Sequence, residues 1–228
     1  EPNNFLKFFI SKNEINIGKN RIILSNYEKI FVVSYGKAAD SMAKFVSELV
    51  YVSQGIVVIP KYIKSCLTNK NFRIFYSGHP IPDKESVRAG KAVLKFVNSC
   101  SNKDIIIFLI SGGGSSLLSI PDEITLYDKK RVTNLLLHCG ATINEFNCVR
   151  KHISQIKGGK LVQKIKCDGY ALIMSDVADN DISVISSGCT FDDKTTSSDA
   201  LKIIRKYSLE AEFPKKVISH LKKNTYRK

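Results

Sequence analysis

The stretch Ile105-Ile106-Ile107-Phe108-Leu109-Ile110, followed at once by Ser111-Gly112-Gly113-Gly114-Ser115-Ser116, decides the fold. Six apolar residues in a row, four of them isoleucine, read as a strand covered on both faces, because a half-solvated strand would alternate with polar residues. The Gly/Ser run that ends it is a sharp turn into the next element. Working outward, Ile30 to Tyr35, Gly55 to Ile59 (stopped by Pro60), Phe72 to Tyr76 and Tyr170 to Met174 repeat the buried-strand pattern. Between them lie stretches with helical spacing. Ala38 to Val50 carries Met42, Phe45, Val46, Leu49 and Val50 on one side, and Glu85 to Val97, Asp128 to Cys139, Asn144 to Ile153, Gly159 to Lys166 and Ser198 to Tyr207 also read as helices. Buried strands alternating with helices predict a doubly wound α/β domain, Rossmann-like, with a mostly parallel sheet and helices on both faces. Residues 1–212 form that domain in this reading. Residues 213–228, basic and helical, read as the start of a connection.

Composition narrows the function classes. The chain has 228 residues, 43% hydrophobic and 25% charged, enough to bury roughly 70% of its unfolded surface. Frequent, evenly spread Ile, Val, Leu and Phe exclude intrinsic disorder. No apolar run approaches the roughly 20 residues of a membrane span, so no membrane partner is expected, and the opening Glu1-Pro2-Asn3-Asn4 is not a signal peptide. The net charge of +14 points to an anionic partner. Its clusters, Arg150 to Lys166 and the run from Lys215 to Lys228, lack the interleaved aromatics or motifs of a nucleic-acid module, so no nucleic acid is expected. The six cysteines match no zinc or disulfide spacing and read as reduced thiols of a cytoplasmic protein.

Ligands of an open parallel sheet bind beyond the carboxyl ends of its strands. There the sequence places Gly36-Lys37-Ala38-Ala39, Gly78-His79-Pro80-Ile81-Pro82-Asp83, the 111–116 loop, and Ser175-Asp176. Glycines 112, 113 and 114 let backbone N–H groups turn inward, and Ser115 and Ser116 open the next element, so the loop reads as a cradle for phosphate or carboxylate. It is neither a Walker A loop nor a dinucleotide fingerprint: the required Lys is missing, Leu117 stands at the third glycine, and no acid follows Ile59. Lys37 at a helix start is unfavourable for the helix dipole, and a transferring phosphoryl group would explain its presence. His79 sits in a proline-braced turn. Asp83 reads equally as a helix cap. Asp176, Asp179 and Asp181 could hold Mg²⁺ or act as a base, or be turn acids.

Together these motifs resemble the glycerate 2-kinase family that carries a MOFRL C-terminal domain. The resemblance rests on Gly36-Lys37-Ala38 with Met42-Ala43, on His79-Pro80-Ile81-Pro82-Asp83, and on Ser111-Gly112-Gly113-Gly114-Ser115. It continues through Ile143-Asn144-Glu145, Asn147-Cys148-Val149-Arg150-Lys151-His152-Ile153-Ser154, Lys157-Gly158-Gly159-Lys160-Leu161, Ser175-Asp176-Val177, and Ser187-Gly188 with Asp193, Thr195 and Thr196. Two departures are Cys189, where the family usually has Pro, and Asn180, in the family's Gly-Asp pattern. The resemblance is to the N-terminal domain of proteins about twice as long. It implies ATP- and Mg²⁺-dependent phosphorylation of D-glycerate at its 2-hydroxyl, in a cleft between this domain and a C-terminal one, with a homodimer admitted. Lys37 and Asp176 are then the expected catalytic residues. His79, Ser111, Gly112, Gly113, Gly114, Ser115, Ser116, Glu145, Asn147, Arg150 and Lys157 are the expected substrate- or phosphate-binding set, and Asp176 and Asp181 the expected metal ligands. The family's older description as a hydroxypyruvate reductase leaves NAD(P)H chemistry as the alternative enzyme, and a non-catalytic sugar-phosphate-binding module as the alternative to an enzyme.

Overall fold

A computed structural model describes residues 2–175 and 181–225. A short helix α1 (Pro2–Leu6) leads into a small antiparallel sheet of β1 (Ile10–Ser11), β2 (Glu14–Ile17) and β3 (Asn20–Ile23). The main domain follows: β4 (Ile30–Tyr35), α2 (Ala39–Leu49), β5 (Gln54–Pro60), β6 (Phe72–Ser77), α3 (Lys84–Val97) and β7 (Ile105–Ser111). A single turn α4 (Gly114–Leu117), helices α5 (Leu126–His138) and α6 (Ile143–His152), strand β8 (Asp168–Met174), and helices α7 (Ser197–Lys206) and α8 (Lys215–Thr225) complete it.

The five long strands form one sheet in the order β6-β5-β4-β7-β8, every neighbouring pair parallel. Alternation along the central strands explains why both faces are covered. Phe31, Val33 and Tyr35 of β4, with Ile106, Phe108 and Ile110 of β7, enter a core shared with Val93 and Val97 of α3. Val32, Ile105, Ile107 and Leu109 point the other way, onto Met42, Phe45 and Val46 of α2 and onto the small sheet. The sheet is thus doubly wound, as the apolar runs predict.

Helices begin where the sequence supplies caps. Asp83 with Ser86, Thr125 with Asp128, Thr142 with Glu145, and Thr196 with Asp199 each form a reciprocal capping box. Helices α5 to α8 build a separate layer around Val132, Leu136, Val149, Ile204, Val217 and Leu221, so the stretch beyond Phe213 packs against this domain. The helix expected over 159–166 is instead a series of turns. Gly158 and Gly159 both hold left-handed backbone (φ +62° and +77°), which no helix accommodates. The small sheet of β1 to β3 was not anticipated.

Candidate functional site

The strand order reverses between β4 and β7, and the loops leaving these two neighbours form the crevice where such sheets bind ligands. Backbone bonds fasten them together. The Lys37 N–H donates to the Gly112 carbonyl at 2.9 Å, and the Ala38 N–H donates to Ser111 Oγ at 3.0 Å. The approach is close enough to require glycine at 36: a Cβ there would collide with Ser111 Oγ and stand 2.6 Å from its carbonyl oxygen.

Gly113 lies at the centre of the crevice in left-handed backbone, φ +85°. A Cβ on it would meet His79 Nε2 at 2.9 Å and Lys37 Cγ at 3.3 Å, so Lys37, Gly113 and His79 are contiguous. Burial, and after it the Lys37 charge, push the His79 imidazole below its ordinary pKa. Its Nδ1 pairs with the Tyr62 hydroxyl at 3.1 Å, leaving Nε2 toward the loop. Among the described residues, the amide N–H groups of Gly112, Gly113, Gly114 and Ser115 meet no acceptor. Four successive free amides beside a lysine and a histidine are donors of the kind that line anion-binding nests.

The residues behind the loop are buried against it. Lys157 is fully buried, and Arg150 nearly so. Lys157 Nζ donates to the Ser115 carbonyl at 2.9 Å and to Ser115 Oγ at 3.1 Å, and Arg150 Nη2 reaches the same carbonyl at 3.5 Å. Both hold the loop from below. Burial and the Arg150 charge lower Lys157 to about 8, and burial lowers Arg150 to about 10. Lys129, a residue that sequence reasoning missed, joins them. Its buried ammonium has no hydrogen-bond partner, and burial together with Lys157 and Arg150 drives its pKa well down.

Serines and an amide complete the support. Ser115 Oγ bonds Ser187 Oγ, which donates in turn to Asn147 Oδ1 at 2.8 Å. Ser186 Oγ donates to the Ser111 carbonyl at 3.2 Å, and Ser116 Oγ to the Gly113 carbonyl at 3.1 Å. Asn147, Ser111 and Ser116 are buried and so shape the loop rather than face its mouth. Ser186 and Ser187 both hold left-handed backbone (φ 54° and 56°), a strain that non-glycine residues rarely carry. Glu145 lies elsewhere. It caps α6 and bonds Lys206 at 2.6 Å and Tyr207 at 2.7 Å, which with the Thr142 N–H hold its carboxyl down at about 2.

The described carboxylates do not fit a resident magnesium ion. No three His, Cys, Asp or Glu among the described residues stand together as a metal site. Asp181 accepts the Ser183 N–H at 2.9 Å. Asp83 caps α3 and pairs with Lys61: burial alone would raise its pKa, but Lys61 and the Ser86 and Gly78 amides hold it at about 2. Asp40 accepts from the Ser65 hydroxyl and from the Cys66 N–H at 2.8 Å. Asp176 and Asp179 lie outside the described residues.

The chain belongs to the family described as "Domain of unknown function (DUF4147)", whose model matches residues 1–222. It is 39% identical to the glycerate 2-kinase of Pyrococcus horikoshii over 217 residues, 92% of this chain and 49% of that protein. A crystal structure of a Pyrococcus horikoshii OT3 protein matches with TM-score 0.91 and 37% identity, covering 99% of this chain and 51% of that one. The crystal structure of glycerate kinase from Thermotoga maritima matches with TM-score 0.83 and 35% identity, covering 96% and 50%. The chain therefore spans about half the length of these relatives.

Proposed function

We propose that this chain is the N-terminal half of a glycerate 2-kinase, which transfers the γ-phosphoryl group of ATP to the 2-hydroxyl of D-glycerate. The observation that carries the reading is the run of four unpaired amides at 112–115 flanked by Lys37 and His79. Charge builds on the equatorial oxygens of a transferring phosphoryl group, and fixed N–H dipoles with one cation stabilise it without reorganising. Lys37 has the reach and the exposure to follow that charge, and His79 Nε2 lies next to the same loop. Buried Lys157 and Arg150 add positive potential from below while fixing Ser115. Magnesium would arrive on the nucleotide phosphates, with Asp176 the carboxylate the sequence offers it. A cytoplasmic setting suits the six unpaired thiols. No helix among the described residues is long and apolar enough to cross a membrane.

NAD(P)H chemistry is the weaker reading. After β4 the chain runs Gly36-Lys37-Ala38-Ala39 without the three-glycine pattern, and β5 ends at Pro60-Lys61, where a dinucleotide site needs an acid. NADH fluorescence quenching set against thermal stabilisation by Mg-ATP separates the two.

The direct test is ATP-dependent glycerate phosphorylation, assayed with this chain alone and then with the half that its relatives carry in addition. One wall of a cleft neither excludes water nor aligns two substrates. The chain alone is expected to bind anions but turn over poorly or not at all, with activity appearing when the second half is supplied. Full activity from the isolated chain would overturn the two-domain reading.

A further inference from the structure

A second concavity adjoins the crevice at Lys37. Between α2 and the loop that follows β5 lies a groove of about 450 Å³, lined by Lys37 at its inner end and by Ser41, Phe45, Ile63, Lys64 and Cys66 along its length. We infer that this groove takes the nucleoside end of the phosphoryl donor, whose phosphates then reach Lys37 and the 112–115 amides. The inference rests on the phosphoryl-transfer reading and adds to it where the base and ribose lie.

Four features carry it. The groove adjoins the proposed reaction site, because Lys37 lines the groove and its Cγ faces Gly113. Its volume falls within the roughly 300–1,000 Å³ typical of small-ligand sites. Its far wall is preformed: buried Asp40 on α2 holds the Ser65 hydroxyl and the Cys66 N–H, tying the loop to the helix. Its lining is mixed as a nucleoside requires, with Phe45 and Ile63 for a base, and Ser41 and Glu48 for hydroxyls. Lys44, Lys64 and Glu48 form no ion pair among the described residues. Because Lys61 stands where a dinucleotide site has its acid, the ribose hydroxyls fall to α2.

Cys66 supplies the readout, since it is the exposed thiol among the six. On this chain, ATP is expected to slow N-ethylmaleimide labelling of Cys66 at least fivefold, as followed by peptide mass. Tripolyphosphate, which has the charge without the nucleoside, is expected to raise Tm while leaving Cys66 labelling unchanged. Ser41→Phe should narrow the groove and weaken ATP about tenfold with tripolyphosphate affinity intact, whereas Lys37→Ala should weaken both. Stabilisation by ATP without protection of Cys66, equal protection by tripolyphosphate, or normal ATP affinity in a folded Ser41→Phe chain would each overturn the groove assignment alone. If neither ATP nor tripolyphosphate raised Tm, the phosphate cradle itself would fall, and the groove assignment with it.

Discussion

Lysines stand on both sides of the 112–116 loop, and the two sides behave differently. Above it, exposed Lys37 stands beside Gly113 and His79. Below it, Lys129, Arg150 and Lys157 are buried together, and burial lowers the pKa of each. The upper cation remains solvated until a ligand arrives, so its attraction is available to that ligand. The lower side chains already bear the cost of desolvation, and what two of them return is position: Lys157 and Arg150 hold the Ser115 carbonyl. The same residue type is thus exposed and open to a ligand on one face and locked into the architecture on the other. The difference is set by burial alone.

The largest expected effect breaks the comparison from above. In a protein that includes the second half, Lys37→Ala should lower turnover about 10²–10³-fold, the loss typical of removing one preorganised charge-stabilising donor. Because Lys37 bears no core contact or ion pair among the described residues, Tm of the variant should match wild type. Normal kinetics would remove Lys37 from the chemistry. Gly113→Val acts on both sides at once. It forces a β-branched residue into left-handed backbone against His79 Nε2, which costs on the order of 1–3 kcal/mol and displaces the amides. Inorganic phosphate binding, read by calorimetry, should disappear while far-UV circular dichroism retains most of the sheet signal.

From below, the expected sign reverses. Lys129 is a buried ammonium with no partner, so Lys129→Met, of similar length and apolar, should stabilise the chain by about 1–2 kcal/mol, a few degrees in Tm at pH 7. A loss of stability would mean that the ammonium has a role that its surroundings do not reveal. The pH dependence has a definite direction. Lys157 titrates at about 8 in the fold and near its ordinary 10.5 unfolded, so between these values the unfolded chain binds more protons. Its contribution to stability therefore rises with pH from about 8 to 10.5. Lys157→Met should lack that part of the rise in urea titrations, and an unchanged slope would place the lowered pKa elsewhere.

How much of this was legible follows from what each signal measures. The runs at 30–35 and 105–110 announce a sheet covered on both faces because every position is apolar, and the alternation of Phe31, Val33 and Tyr35 against Val32 confirms why. The Gly/Ser loop was legible because glycine identity reports backbone freedom. The small sheet at 10–23 was not, since strands of two to four residues with mixed Ile, Asn and Glu offer too few periods to count. Arg150 and Lys157 read as ligand-facing because charged side chains are seldom fully buried, and only the packing of α5, α6 and the 185–189 turn encloses them. The turns at 159–166 escaped because two adjacent left-handed glycines look, in sequence, like a weak helix start. Tyr62 escaped for another reason: a loop aromatic has no pattern until its partner is known.

That partner gives the smallest and sharpest test. Tyr62 Oη lies 3.1 Å from His79 Nδ1, with the rings edge to face at 6.1 Å. If the hydroxyl donates, Nδ1 is the acceptor and the proton of neutral His79 resides on Nε2, the nitrogen facing the loop, where it can donate to an anion oxygen. Tyr62→Phe keeps the ring contact and removes only the hydrogen bond. The variant should fold normally, since Tyr62 is largely exposed. Its affinity for inorganic phosphate should drop only two- to fivefold, the value of about one hydrogen bond. The ¹⁵N shifts of the His79 ring should show the decisive change, from a predominant Nε2–H tautomer in wild type to a mixture in the variant, measured at pH 7.5, above the lowered His79 pKa. A structural tyrosine would alter stability and leave the tautomer alone. An unchanged tautomer with unchanged phosphate affinity would show that the upper side of the loop works through Lys37 and the amides without His79 being oriented at all.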